Sequence, residues 1–274
     1  MTIALIQSYY EKQVNKIEKN FYDAILRHNG DAVHDLRVAI KRLRALRRLL
    51  KENRILRPEA RQFIKSLRNI YRPLGRLRDL QVSEGLCVEY GLTAESWFEP
   101  MKLEFESARN RSHRRLIQAF RHFSYVDFFR FKYSRPYRNT GPDAIINENT
   151  FLTRRLAHIL AHYKEEDQMH HFHEIRKKIK ELYYLTEIKQ ESRFLYRSIA
   201  LDLEALKQME DNIGGWRDRL LFQRELNSIL KAPGTVLHYN AYSSLDRLQS
   251  DIQAMHDSAT DSLNLFCREI AAAV

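Results

Sequence analysis

The strongest constraint on the fold of this chain is a basic helical pattern that occurs twice, 139 residues apart. The first copy, VHDLRVAIKRLRALRRLL, runs from Val33 to Leu50, and the second, FHEIRKKIKELYYLTEIK, from Phe172 to Lys189. Without a gap, His34 aligns with His173, Arg37 with Arg176, Ile40 with Ile179, Lys41 with Lys180, Leu43 with Leu182 and Leu46 with Leu185. The same offset carries Gly75, Arg78 and Asp79 of PLGRLRDL onto Gly214, Arg217 and Asp218 of NIGGWRDR. Two separated blocks held in one register indicate an internal duplication. The halves are then 1–140 and 141–274, together one domain.

Only 8 Gly and 6 Pro punctuate the 274 residues, so long helices are expected, and the lack of clean alternating apolar runs argues against a sheet. Periodicity predicts helices over Ile3–Arg27, from an Asp31 cap through the first motif, and from Pro58 to a stop near Pro73 and Gly75. Further helices are expected over Arg76–Tyr90 and from Met101 into the 120s, with Tyr133–Thr150 as a connector. The second half predicts helices over Phe151–Tyr163, His171–Lys189, Arg193–Glu210 and Gly215–Leu230, a break at Pro233-Gly234, and a last helix over Ser243–Ile270. The predicted class is all-α: two antiparallel bundles of about four helices each, related by the internal duplication.

Charge is unevenly placed. Residues 1–140 hold 29 Lys+Arg against 15 Asp+Glu, whereas residues 141–274 hold 17 against 20. Between Arg37 and Arg78 stand 15 basic residues and only two acids, Glu52 and Glu59, a field that attracts polyanions. Cys87 and Cys267 have no metal-like spacing and read as buried thiols of a reducing compartment. No stretch approaches the roughly 20 apolar residues of a membrane span, and the N-terminus lacks a basic leader or cleavage site. A soluble, cytoplasmic protein with no membrane partner is expected.

On a helical wheel, His34, Arg37, Lys41, Arg44 and Arg48 fall within a sector of about 80°, while Leu36, Ile40, Leu43 and Leu50 centre on roughly the opposite side. The basic stripe is roughly 21 Å long, and acidic partners one turn away are missing. A solvated surface is the ordinary reading of such runs; repetition and absent counter-charges point instead to a binding stripe. Arginine forks hold two phosphate oxygens at once and stay charged. A histidine among them has its proton affinity lowered by like charge and can donate a neutral N–H to an anion. In the second copy Glu181, Tyr183 and Glu187 replace Arg42, Arg44 and Arg48, leaving His173, Arg176 and Lys180 as shared positions. Gly75 and Gly214 read as helix starts, and Asp79 and Asp218 as residues that cap those starts or orient the adjacent arginines.

HDLRVAIKRLR followed by GRLRDL, repeated as HEIRKKIKELYYL with GGWRD, resembles the CHAD family, the histidine-containing α-helical domain, over nearly the whole chain. The resemblance implies two four-helix bundles with paired basic helices lining a positive groove or pore. It implies binding of inorganic polyphosphate and, in some members, targeting to polyphosphate granules. Matched by motif, the phosphate-contacting candidates are His34, Arg37, Lys41, Arg44, Arg48 and Arg78, with His173, Arg176, Lys180 and Arg217 from the second half.

No catalytic residue, metal ligand or cofactor is assigned. His158 and His162 stand one turn apart and MHHFHE is histidine-rich, but no HExxH, P-loop, GxSxG or dinucleotide fingerprint is present. Phe120, Phe123, Tyr125, Phe128, Phe129, Phe131 and Tyr133 are read as buried packing between the halves. Three alternatives stay open. The first is weak nonspecific binding of RNA or DNA, although the first stripe has no aromatic on which bases could stack. The second is a metal-dependent polyphosphate hydrolase using Glu174 or Glu181. The third is a scaffold meeting an acidic protein.

Overall fold

In the computed structural model, which describes residues 2–273 apart from 28, 95–97, 122, 124, 139–148, 164–167, 189–192, 197–198 and 231–238, the apolar periodicity becomes long helices. The first half holds α1 (Ile3–Leu26), α2 (Gly30–Glu52), α3 (Pro58–Glu89), α4 (Phe98–Arg121) and the short α5 (Tyr125–Lys132). The second holds α6 (Asn149–Tyr163), α7 (Gln168–Ile188), α8 (Leu203–Leu230) and α9 (Tyr239–Ala273). Successive helices pack as neighbours, α1 with α2, α2 with α3, α3 with α4, and contacts of α1 with α4 close the bundle. Helices α6 to α9 repeat that neighbour order, with α6 against α9. The bundles join where α2 meets α7 and α3 meets α8, and one apolar core is shared by both.

The ends of α1 to α3 follow the local chemistry. Thr2 caps α1, and Pro58 sits in the first turn of α3, where its missing N–H is harmless. Helix α2 is capped by Asn29, whose side chain accepts from the Ala32 amide at 3.0 Å; Asp31, the expected cap, lies inside the first turn. Leu36, Ile40, Leu43, Leu46, Leu49 and Leu50 place the apolar stripe of α2 wholly inside.

Three predicted elements change. Helix α3 does not stop at Pro73 but continues to Glu89, because Leu67, Ile70, Leu74, Leu77 and Leu80 keep one buried stripe running past the proline. Helix α8 likewise runs through Gly214 and Gly215. The expected helix from Arg193 is an antiparallel hairpin, β1 (Arg193–Tyr196) against β2 (Ile199–Asp202), in a segment whose Phe194, Tyr196 and Ile199 favour extended backbone. Asp202 then caps α8, its carboxylate accepting from the amides of Glu204 at 2.8 Å and Ala205 at 3.3 Å. The Pro233-Gly234 break lies outside the described residues, as does much of the connector.

Phe120, Phe123, Phe128 and Phe131 pack within the first bundle rather than between the halves, whereas Tyr133 is exposed and the side chains of Tyr125 and Phe129 lie outside the described residues. Phe120 and Phe123 meet Phe21 of α1, and Phe123, Phe128 and Phe131 surround Phe63 of α3. Cys87 and Cys267 are buried thiols, each with its pKa pushed up to about 12 by burial. No described helix is long and apolar enough to cross a membrane.

Candidate functional site: a basic cavity at the helix crossing

Helices α2 and α7 meet through equivalent positions of the two motifs. Lys41 and Lys180 stand close enough there for the Lys180 charge to lower the Lys41 pKa. On either side the contacts are reciprocal. Arg42 reaches Glu187, with Nε donating to Oε2 at 2.7 Å, and Arg48 pairs with Glu181. The 139-residue offset places Glu181 on Arg42 and Glu187 on Arg48, so each arginine pairs with the counterpart of the other. Such an exchange of partners is what a self-complementary contact between two like helices produces.

Beside this crossing lies a cavity of about 760 Å³, walled by α2, α3, α7 and α8. Seven of the ten predicted residues line it: His34, Arg37, Lys41, Arg78, Arg176, Lys180 and Arg217. Arg44, Arg48 and His173 do not line it. Arg44 lies over the Tyr71 ring, 5.1 Å from its centroid, and Arg48 is held by Glu181, which Arg155 also contacts at 2.5 Å. The counter-charges missing from α2 itself therefore come from α7, so the stripe is only partly unpaired. Sequence reading missed Arg42, Arg76 and Arg224, whose basicity belongs to no repeated position, and Lys207, which the same offset places on Arg68 outside the two motifs; all four also line the wall. It also missed Tyr183 and the buried Tyr184, which bring aromatic surface to the cavity that the first stripe lacks.

The two motifs depend on each other through their glycines. Neither Gly75 nor Gly214 starts a helix; both lie in mid-helix, and so do Asp79 and Asp218, which therefore cap nothing. A Cβ on Gly75 would stand 2.8 Å from Arg37 Nη1, and one on Gly214 would stand 2.6 Å from Arg176 Nη2. Each glycine is the notch in which the motif arginine of the preceding helix lies. The arginines differ in what they meet there. Arg176 reaches Glu210, 2.8 Å from Nη2 to Oε1. Position 71, the counterpart of 210, is tyrosine, and Arg37 lies 4.9 Å from the centroid of its ring. Arg37 Nη1 is buried without a hydrogen-bond partner among the described residues.

The electrostatics follow from this crowding. Glu210 is buried and also holds Lys180 at 2.5 Å. Burial opposes its charge, yet the Lys180 and Arg176 cations outweigh that and keep its carboxyl below the usual range. Lys41 lacks such a partner: burial, then Lys180, Arg37 and Arg176, lower its pKa from 10.5 to about 6. Lys180 is lowered as well, by burial and then by Arg176. His34 is lowered by desolvation against the wall and next by Arg78; His173 is lowered by desolvation and then by Lys177 and Arg217. Asp218 is raised by desolvation, with Asp79 adding to it. The four cations at the helix crossing are thus served by one carboxylate, while Asp35, Asp79, Asp211, Asp218 and Glu225 also line the cavity wall.

Glu174 pairs with Lys177 at 2.5 Å and does not line the cavity, and neither does Glu181. The His158 and His162 rings lie 4.0 Å apart and tilted by 37°, and no group of three metal-ligating side chains occurs among the described residues. The side chains of His170 and His171 lie outside the described residues.

The sequence profile of the CHAD domain matches residues 8–227. The chain belongs to the CHAD domain family, a family associated with polyphosphate. Two solved structures share the fold. PptA from Streptomyces chartreusis superposes with a TM-score of 0.67 at 15% identity, covering 96% of this chain and 98% of its own. The CHAD domain from the plant Ricinus communis superposes with a TM-score of 0.63 at 15% identity, covering 96% and 92%. No curated protein matches.

Proposed function

We propose that this protein binds inorganic polyphosphate in the basic cavity between its two bundles, without catalysing its turnover. The observation that carries the reading is the cavity floor: among the described residues, Glu210 is the one carboxylate ion-paired with any of Arg37, Lys41, Arg176 and Lys180, and of these four it pairs with Arg176 and Lys180 alone. A linear polyanion supplies the missing negative charge, and the free Arg37 Nη1 supplies a buried donor for it. His34, Arg78 and Arg217 extend the contact along the wall, while Arg44, Arg48 and His173 stand outside it. The reciprocal pairs of α2 and α7 and the two glycine notches support reading residues 1–140 and 141–274 as duplicated halves of one binding unit. Association with polyphosphate granules in the cytoplasm would follow from the same affinity.

The test is fluorescence anisotropy with labelled long-chain polyphosphate across a salt series, with single-stranded RNA as competitor at equal phosphate concentration. With four or more phosphate contacts, log affinity should fall with log salt at a slope of roughly −3 or steeper. Neutralisation by Arg37→Gln and Arg176→Gln suits the site better than charge reversal, because a new carboxylate at 176 would face the buried Glu210. The double variant should lose binding and keep its helical circular dichroism. Unchanged affinity would sink the placement. Full displacement by RNA would make the cavity a general polyanion site, with Tyr183 available to a base.

A further inference from the structure

The central cavity leaves most of the charge excess of the first half unexplained, since both halves contribute to it. The excess has a second location. A groove of about 780 Å³ between α3 and α4 is lined by Asn69, Arg72, Pro73 and Arg76 from one helix and by Ser112, Arg115, Gln118, Ala119 and Arg121 from the other. Among the described residues no acidic one lines it. The flanking sequence explains why: residues 60–78 and 107–126 contain no Asp or Glu. Arg72, Arg115 and Arg121 are exposed and form no ion pair or hydrogen bond with any described residue. The counterparts of Arg72 and Arg76 in the second half are Asp211 and Gly215, so the α3 side of the groove has no basic equivalent on α8.

Arg76 belongs to the walls of both the groove and the central cavity, where it reaches Glu225 at 3.5 Å. We infer that the α3–α4 groove is a second phosphate-chain site, continuous with the cavity through Arg76, and that one long polyphosphate occupies both. The inference rests on the polyphosphate reading of the cavity and adds to it a preference for chains long enough to pass Arg76. Guanidinium groups at successive turns of facing helices present forks for a repeating phosphate backbone. The groove wall has no aromatic side chain on which a base could stack, which favours a bare phosphate chain over nucleic acid.

Tripolyphosphate and long-chain polyphosphate are titrated into the full chain, into the Arg72→Gln/Arg115→Gln/Arg121→Gln variant and into Arg37→Gln/Arg176→Gln. The groove substitutions replace exposed side chains and leave the core untouched. They should weaken long-chain binding by about tenfold or more and make the salt slope shallower by about 2, leaving tripolyphosphate affinity unchanged. Long-chain affinity that stays at the unsubstituted level in the groove variant, while the cavity variant loses it, overturns the groove and keeps the cavity. Loss in the groove variant with no loss in the cavity variant keeps the groove and overturns the cavity. If single-stranded RNA at equal phosphate concentration displaces the long chain from the cavity variant, the groove is a nucleic-acid surface and the assignment falls.

Discussion

Lys41→Met should make the folded protein more stable while weakening its hold on polyphosphate. Lys41 ordinarily would protonate at 10.5, but burial and the Lys180, Arg37 and Arg176 cations lower this to about 6. At pH 7 the folded state must therefore keep the amine neutral, and at about 1.4 kcal/mol per pH unit that costs up to about 5 kcal/mol. Relaxation and partial hydration discount the figure, and apolar replacement of buried charges commonly returns about 1–4 kcal/mol. For a chain of this size that corresponds to a rise in Tm of roughly 3–10 °C. The sign sets the pH dependence. Between about 6 and 10.5 the unfolded chain binds more protons at Lys41 than the folded one, so this penalty shrinks as pH rises through that window. The stability gap between variant and parent should be widest at and below pH 6 and nearly closed by pH 10.5. Binding works the other way: a phosphate beside Lys41 restores its charge, so the parent should take up about one proton per site at pH 8. Calorimetry in Tris and in HEPES reads that proton from the difference in apparent enthalpy. It should vanish in Lys41→Met and persist in His34→Gln. A variant that melts below the parent at pH 7, or a gap that widens with pH, would refute the reasoning.

Gly214→Ala should push Arg176 off Glu210, lowering stability by about 1 kcal/mol or more and reducing polyphosphate affinity, as read by melting and anisotropy. Gly75→Ala displaces an arginine with no acidic partner, so the helix gain of up to about 1 kcal/mol should survive in the melt while affinity still falls. Arg48→Ala should leave polyphosphate affinity within about twofold, because Arg48 lies outside the cavity. It should cost roughly 1–3 kcal/mol in chemical denaturation, because buried Glu181 then keeps Arg155 alone. Glu210→Gln should cost stability and raise polyphosphate affinity several-fold at low salt; equal or weaker binding would show that Glu210 serves the site chiefly by positioning Arg176 and Lys180.

The fold class and most of the cavity were legible in the sequence because the motif pair repeats at one offset, and repetition reports which residues share an environment. What such a pattern does not report is the partner of each residue in space. The i+4 neighbours of the α2 arginines carry no acids, which suggested an unbroken cationic stripe; Glu181 and Glu187 arrive from a helix more than a hundred residues away. Gly75 and Pro73 carry the local signals of a helix end, yet the buried leucines of α3 and the side chain of Arg37 decide the matter there. The hairpin at 193–202 was hidden for a similar reason, since short apolar runs serve helix and strand alike.

The departures of the second motif from the first have two physical consequences. Glu181 and Glu187 neutralise Arg48 and Arg42 across the α2–α7 crossing and so tie the bundles together. Glu210, in place of Tyr71, fixes Arg176 and Lys180 before any ligand arrives, whereas among the described residues Arg37 and Lys41 are ion-paired with no carboxylate. One half of the floor is thus preorganised and the other is short of charge. A symmetric floor with a carboxylate in both halves would be more stable and would attract anions less. A floor with none would crowd four buried cations at the crossing of α2 and α7. The single glutamate sets the balance, and it assigns the larger part of the ligand-dependent stabilisation to Arg37 and Lys41. Saturating polyphosphate should therefore raise the Tm of the parent more than that of Arg37→Gln, and least in Lys41→Met, where the charge deficit has already been removed.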